Sequence, residues 1–366
     1  MTTPPPPFSL SCTPQVPELL YQLGCSLAIS TFQAGKVIFI SAKDADSLVQ
    51  LPRTFEKAMG IALSGPKMAI ATRAEVQVLV ASPELALHYP NQPGTYDTLY
   101  MPRATYYTGQ IDIHDLDYGE NGVLYAVNTS FSCLIRINDN YSFEPVWKPN
   151  FITRLASEDR CHLNGMAIQA GKPRFVTAFG AGDTAQSWRS AVTTGGIILD
   201  VPTGELVAHG LPMPHSPRLY DNDLYVLLSA TGDLARVDQA SGNYEVVTRL
   251  QGFVRGMAKY GDYLFIGLSR LRKNSSTFAK LPIAMQSQQA GIAIIHLPTS
   301  VSVGSIQYHS SVDEIYDVQV LPGLRRPGIL NTQRMDYQLG LATPDATYWA
   351  LPESDMVSGS KPQGIS

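Results

Sequence analysis

The chain is poor in charge and in cysteine, and it has no long apolar run. Charged residues make up 16% of its 366 residues, with 27 Lys plus Arg against 31 Asp plus Glu, for a formal net charge of −4. Nucleic-acid binders carry a basic face, so this balance argues against such a partner. No apolar stretch reaches the length of a membrane span. The start, Met1-Thr-Thr-Pro-Pro-Pro-Pro-Phe, has neither the basic nor the apolar region of a signal peptide. Four cysteines (Cys12, Cys25, Cys133 and Cys161) lack the spacing of a metal or redox motif. Together these absences predict a reduced, cytoplasmic protein that binds neither nucleic acid nor membrane.

Other signatures are absent too. No long stretch has helical period. Gly180-Ala-Gly182 lacks the strand-to-helix setting of a dinucleotide loop, and Ser216 beside His215 lacks a nucleophile elbow. What the chain has is a repeat. Gly252-Phe-Val-Arg-Gly-Met-Ala-Lys-Tyr-Gly-Asp-Tyr-Leu-Phe-Ile-Gly267 reads as strand, tight turn, strand. The same shape recurs from Met59, His114, Asn164 and His215, and in a shorter form at Tyr316-Asp-Val-Gln-Val-Leu-Pro322. Six copies at intervals of roughly 40 to 60 residues suit the blades of a propeller.

The expected fold is therefore all-β, a six-bladed β-propeller. A seventh blade is the alternative if residues 71–107 hold an extra sheet. The last repeat has few strands of its own. Cys25–Ser30 and Gly35–Ser41, which precede the first repeat, are expected to complete it and close the ring, removing open sheet edges. The domain plan is a disordered or extended proline-rich segment over residues 1–17, one propeller over 18–352 and a flexible tail over 353–366. A short helix is expected from Pro17. Two insertions, Gly180–Thr194 and Ser269–Gln289, each lie between the second and third strands of a blade. They are predicted to overhang the entrance to the axis.

Several segments resemble an uncharacterised bacterial family of propeller-type proteins, of unknown function and sometimes joined to tetratricopeptide repeats. They are Ile111-Asp-Ile-His-Asp-Leu116, Asn128-Thr-Ser-Phe-Ser-Cys-Leu134, Asp159-Arg-Cys-His-Leu-Asn-Gly-Met-Ala167, Pro214-His-Ser-Pro-Arg218, Gly252-Phe-Val-Arg-Gly-Met-Ala258 and Asp317-Val-Gln-Val-Leu-Pro-Gly323. The resemblance runs from about Gly35 to Gly328. It implies a whole-chain propeller and names no reaction.

Aligning the repeats on their turns brings one position into register at the start of every inner strand: Met59, His114, Asn164, His215, Arg255 and Tyr316. Inner strands converge on the axis, where a plain core would use Val, Ala or Leu. His162, Asp115, Asp317, Ser216, Arg218 and Glu314 are neighbours. Two histidines facing one cavity supply an acid and a base near neutral pH. Arg255 offers a fork for a carboxylate or phosphate, Tyr316 a donor, and Asn164 a group that orients a carbonyl. Asp115 or Asp317 suits fixing a histidine tautomer.

The predicted catalytic set is His114, His215, Arg255 and Tyr316. The predicted substrate-binding set is Asn164, His162, Arg218, Asp115, Asp317 and Trp188. His114, His215 and His162 are candidate ligands for a divalent metal, the one cofactor considered. Two function classes follow: a lyase, isomerase or hydrolase acting on a small anionic molecule or peptide, or a non-catalytic propeller that binds a ligand or protein. A satisfied polar plug is the bland reading of the same ring.

Overall fold

The computed structural model describes residues 4–271, 278 and 281–350. The tail at 353–366 and much of the second insertion (272–277, 279–280) lie outside the described residues.

Six sheets of four or five strands are arranged as a propeller. Blade one is Ile61–Ser64, Lys67–Ala71, Glu75–Ser82 and Thr98–Tyr107, with Pro327–Ile329 added in parallel at its outer edge. Residues 71–107 thus supply that blade's outer strands and the short helix Pro83–Leu87, and among the described residues there is no seventh blade. Blades two to five start at Ile113–Tyr118, Leu163–Gln169, Pro214–Tyr220 and Phe253–Tyr260. Blade six takes its inner strand, Asp317–Pro322, from the C-terminal part and its other three, Cys25–Thr31, Lys36–Ala42 and Leu48–Thr54, from the N-terminal part. The expected closure is therefore the observed one. The segment expected to be disordered or extended forms the strand Leu10–Cys12, paired with blade five's Val301–Tyr308. Its proline-free stretch can donate to that edge, where the prolines before it cannot. The expected helix runs over Gln15–Leu23 and ends on Gly24 in the left-handed conformation.

The middle strands read as unbroken apolar runs because both faces of each blade are covered. In Leu124–Asn128, Ala126 packs toward blade one and Val127 toward blade three. One apolar cluster fills each of the six gaps between neighbouring blades. Burial in these gaps, at about 25 cal/mol per Å² of apolar surface, is the main force joining blade to blade.

Near the axis the inner strands meet by an alternating device that lies one residue after the ring position. Blades one, three and five place Gly60, Gly165 and Gly256 there, and blades two, four and six place Asp115, Ser216 and Asp317. Asp115 accepts the Met166 N–H at 3.0 Å, Ser216 the Gly256 N–H at 3.0 Å and Asp317 the Ile61 N–H at 2.8 Å, each in the next blade. The glycine of the preceding blade gives each acceptor room. A Cβ on Gly165 would stand 3.1 Å from Ser216 N, and one on Gly256, whose φ is +75°, would stand 2.6 Å from Asp317 Cα.

Candidate functional site

In blades two to five a β-bulge lies at or beside the ring position. In blades two, three and five the strand register skips His114, Asn164 and Arg255, and in blade four it skips Ser216 and Pro217, just after His215. A bulged residue leaves the ladder and its side chain is redirected. Bulges thus turn a regular pleat into a set of inward-facing polar groups.

A cavity of about 810 Å³ opens at this end of the axis. Met59, His114, Arg255 and Tyr316 line it from the ring. His162, Asp112, Glu158, Asp159 and Glu314 add polar groups, and Phe32, Phe179 and Phe278 add aromatic wall. The first insertion overhangs it as expected, contributing Ala185, Gln186, Trp188 and Arg189. Trp188 is buried, and Arg189 lies 4.5 Å over its ring. Phe278 of the second insertion faces the same space.

His162 is the most elaborately held group. Its Nδ1 meets both carboxylate oxygens of Asp159, at 3.0 and 3.1 Å. Trp188 Nε1 donates to the same carboxylate at 3.0 Å, and the imidazole packs into the corner formed by Phe179 and Trp188. Asp159 and His162 both have positive φ, +46° and +50°, a conformation that Asp and His tolerate better than most residues. The loop carrying them is tied to blade two by the Glu158 and Asp159 N–H groups, which donate to Ser130 O, and to the overhanging insertion by Arg160, which pairs with Glu158 and Asp183 at 2.8 and 2.7 Å. Nε2 of His162 has no hydrogen-bond partner among the described residues.

His114 stands edge-on to His162, with ring centroids 4.9 Å apart. Its Nδ1 donates to Asp112 O at 3.1 Å, which leaves Nε2 as a lone-pair acceptor. Burial first, with His162 and Arg255 nearby, pushes its pKa down to about 4 against the pull of Asp112. Tyr316 meets the other edge of His114 at 5.5 Å. Burial drives the Tyr316 pKa well above its usual value, so the phenol stays protonated. The Arg255 guanidinium lies 4.3 Å over the Tyr316 ring, pairs with Glu314 at 3.4 Å and donates from Nη2 to His215 Nε2 at 3.3 Å.

His215 departs from its expected role. It is buried and lies below the large cavity. Its Nδ1 approaches Ser229 Oγ at 2.6 Å, and that hydroxyl donates its only proton to Val254 O, also at 2.6 Å. Nδ1 therefore carries the hydrogen, and Nε2 is the acceptor that Arg255 uses. Burial and the nearby Arg255 hold the imidazole neutral by lowering its pKa well below the usual range. His215 fixes Arg255 and has no free nitrogen for proton transfer.

The three-histidine metal set is not assembled. Both nitrogens of His215 are engaged. Among the described residues, no group of three or more His, Cys, Asp or Glu side chains is placed to hold an ion. A guanidinium beside the histidines is the physical reason, since it opposes a second cation there. Asp115 and Asp317 are likewise absent from the lining of the large cavity, and among the described residues neither hydrogen-bonds a histidine. Asp115 grips Arg218 with two hydrogen bonds, at 2.9 and 3.1 Å, deeper in the axis. Asp159 holds the tautomer-fixing place expected of them. Its spacing from His162 (three residues apart, just ahead of an inner strand) was the available signal. Asp112, Ser229 and Phe179 carried none.

The family described as a domain of unknown function, DUF4915, matches residues 14–330. The chain belongs to that family. No curated protein sequence matches it. Among solved structures, a chain of a nidogen/laminin complex is similar, with TM-score 0.50 and 11% identity, covering 82% of this chain and 99% of its own. A protein of unknown function from Bacteroides caccae gives 0.51 and 11%, covering 81% and 98%. An inactive virginiamycin B lyase from Staphylococcus aureus, solved with quinupristin, gives 0.41 and 12%, covering 82% and 99%. At 11% identity the likeness of this DUF4915 member to the first two is one of fold alone. No helix among its described residues is long and apolar enough to cross a membrane.

Proposed function

We propose that this protein is an acid–base enzyme whose substrate, a small anionic molecule or the anionic end of a peptide, binds in the axial cavity under the 180–194 insertion. The observation that carries this reading is the Asp159–His162 pair. A carboxylate fixes one imidazole nitrogen, an aromatic corner holds the ring, and the other nitrogen keeps no partner among the described residues. That is the arrangement a general base needs. In this reading His162 takes a proton from the substrate and His114 accepts a hydrogen bond from it. Arg255 binds the anionic group and Tyr316 donates a hydrogen bond to it. Asn164 orients a carbonyl, and Trp188 covers the site and braces Asp159. His215 acts on Arg255 as a positioning residue. Proton abstraction, elimination, isomerisation and hydrolysis all fit this set. The four free cysteines, three of them buried, suit a reducing compartment such as the cytoplasm.

The test begins with a library of small carboxylates and phosphates, screened for stabilisation against thermal unfolding and then for conversion by NMR. The expected result is a stabilising compound that the protein converts, and a His162→Gln variant that binds it unchanged while turnover falls by roughly 10²–10⁴. Stabilising compounds that persist unconverted would instead mark the cavity as a binding site of a non-catalytic propeller.

A further inference from the structure

Beneath the large cavity lies a much smaller one, of about 10 Å³, walled by His114, Asn164, His215, Arg255 and Tyr316 together with the residues below them. That is room for about one oxygen atom. Three buried polar atoms of this wall have no protein partner among the described residues: Tyr316 Oη, Asn164 Nδ2 and Arg255 Nε. Asn164 and Tyr316 are 3% and 5% exposed. Leaving a buried polar group unmatched costs about 1–3 kcal/mol, so three on residues around one small cavity call for an occupant.

The neighbouring acceptors are already used. His215 Nε2 takes Arg255 Nη2. Asn164 Oδ1 takes the Thr177 hydroxyl at 2.7 Å. Asp115 takes Arg218 and the Met166 N–H, and Asp317 takes the N–H groups of Ile61 and Val318. Two acceptors remain without a partner among the described residues: His114 Nε2 and the phenol oxygen of Tyr316, which can accept as well as donate. The small space therefore holds three donors against two acceptors. A water oxygen accepts two hydrogen bonds and brings two protons of its own to place. A carboxylate oxygen also has two lone pairs but brings no proton, and its charge strengthens the bonds from Arg255 and the other donors, so it fits a donor-rich pocket better.

From this geometry we infer that the small cavity is a socket for one carboxylate oxygen of the ligand, held by Tyr316 Oη, Asn164 Nδ2 and Arg255 Nε. The inference rests on the reading of the larger cavity as a substrate site and narrows its anion to a carboxylate that enters the ring oxygen first.

Sodium formate is the probe, titrated by calorimetry into the wild type and into the Tyr316→Phe, Asn164→Asp and His162→Gln variants, each first checked for native melting and circular dichroism. Asn164→Asp keeps the oxygen that serves Thr177 and replaces the free donor by a negative charge. Formate is expected to bind the wild type and His162→Gln equally. Tyr316→Phe should weaken it about tenfold, and Asn164→Asp more than tenfold. Absence of formate binding to the wild type overturns the socket, as does unchanged affinity in both Tyr316→Phe and Asn164→Asp. If one of these two misfolds, the other decides. The two proposals fail separately. Full turnover by His162→Gln would end the acid–base assignment and leave the socket standing. No formate binding beside lost turnover in His162→Gln would end only the socket.

Discussion

The mouth of the axis and the shaft below it are built from adjacent residues of the same strands, yet they treat polar groups in opposite ways. In the shaft Asp115, Arg218, Ser216 and Asp317 all have protein partners. Both oxygens of Asp115 meet Arg218, and one also takes a backbone N–H from blade three. Ser216 and Asp317 each reach the next blade. At the mouth, His162 Nε2, His114 Nε2, Tyr316 Oη and Arg255 Nε keep no protein partner among the described residues. Polar residues at a propeller axis are thus no single signal. One residue binds blades together, and in blades two and six its predecessor, His114 or Tyr316, keeps a polar atom without a protein partner among the described residues.

The strongest way to break this contrast is to open the shaft. Asp115→Ala leaves Arg218 buried with its charge uncompensated, the costly way to remove half of an enclosed pair. Urea unfolding should show a loss of about 3–5 kcal/mol, while formate affinity in whatever folds stays within about twofold. An Asp115→Ala protein of unchanged stability would mean that the shaft does not hold the ring together.

The repeat made the shaft and the ring legible, and the loops hid the rest. Aligning turns found Met59, His114, Asn164, His215, Arg255 and Tyr316 because each inner strand begins at the same depth. It did not separate His215 from His162. That distinction depends on Ser229, which lies on another strand's end and offers no pattern. The closure by Cys25–Thr31 and Lys36–Ala42 was readable from a shortage of strands after Tyr316. The bulges were not, because a bulge changes the register without changing the residue types. The three histidines look alike in sequence, whereas in the fold Arg255 engages one of them and the set does not come together among the described residues.

A smaller effect sharpens the mouth. His114 has its pKa lowered from about 6.5 to about 4 by burial. The unfolded chain then takes the proton first. Its contribution to stability is complete above about pH 6.5 and is lost as pH falls toward about 4, on the order of 3 kcal/mol over that window. Unfolding of wild type and His114→Phe at pH 7 and pH 4.5 should show a shallower acid loss in the variant, and the His114 imidazole carbons should titrate near pH 4 by NMR. Titration near 6.5 would place His114 in water and remove it from the closed ring.

The smallest expected effect concerns Trp188. Trp188→Phe keeps most of the aromatic corner around His162 and removes one donor from the Asp159 carboxylate. Stability should fall by only about 1 kcal/mol, the usual worth of a hydrogen bond to a partly exposed group. The informative readout is local. With one donor gone, Asp159 leans more on His162 Nδ1, so the His162 Nδ1–H signal should move by NMR at constant pH while that of His114, bonded to Asp112 O, hardly moves. If both histidine signals move together, the two rings respond as one unit, and the division of labour between a braced base and an enclosed acceptor does not hold.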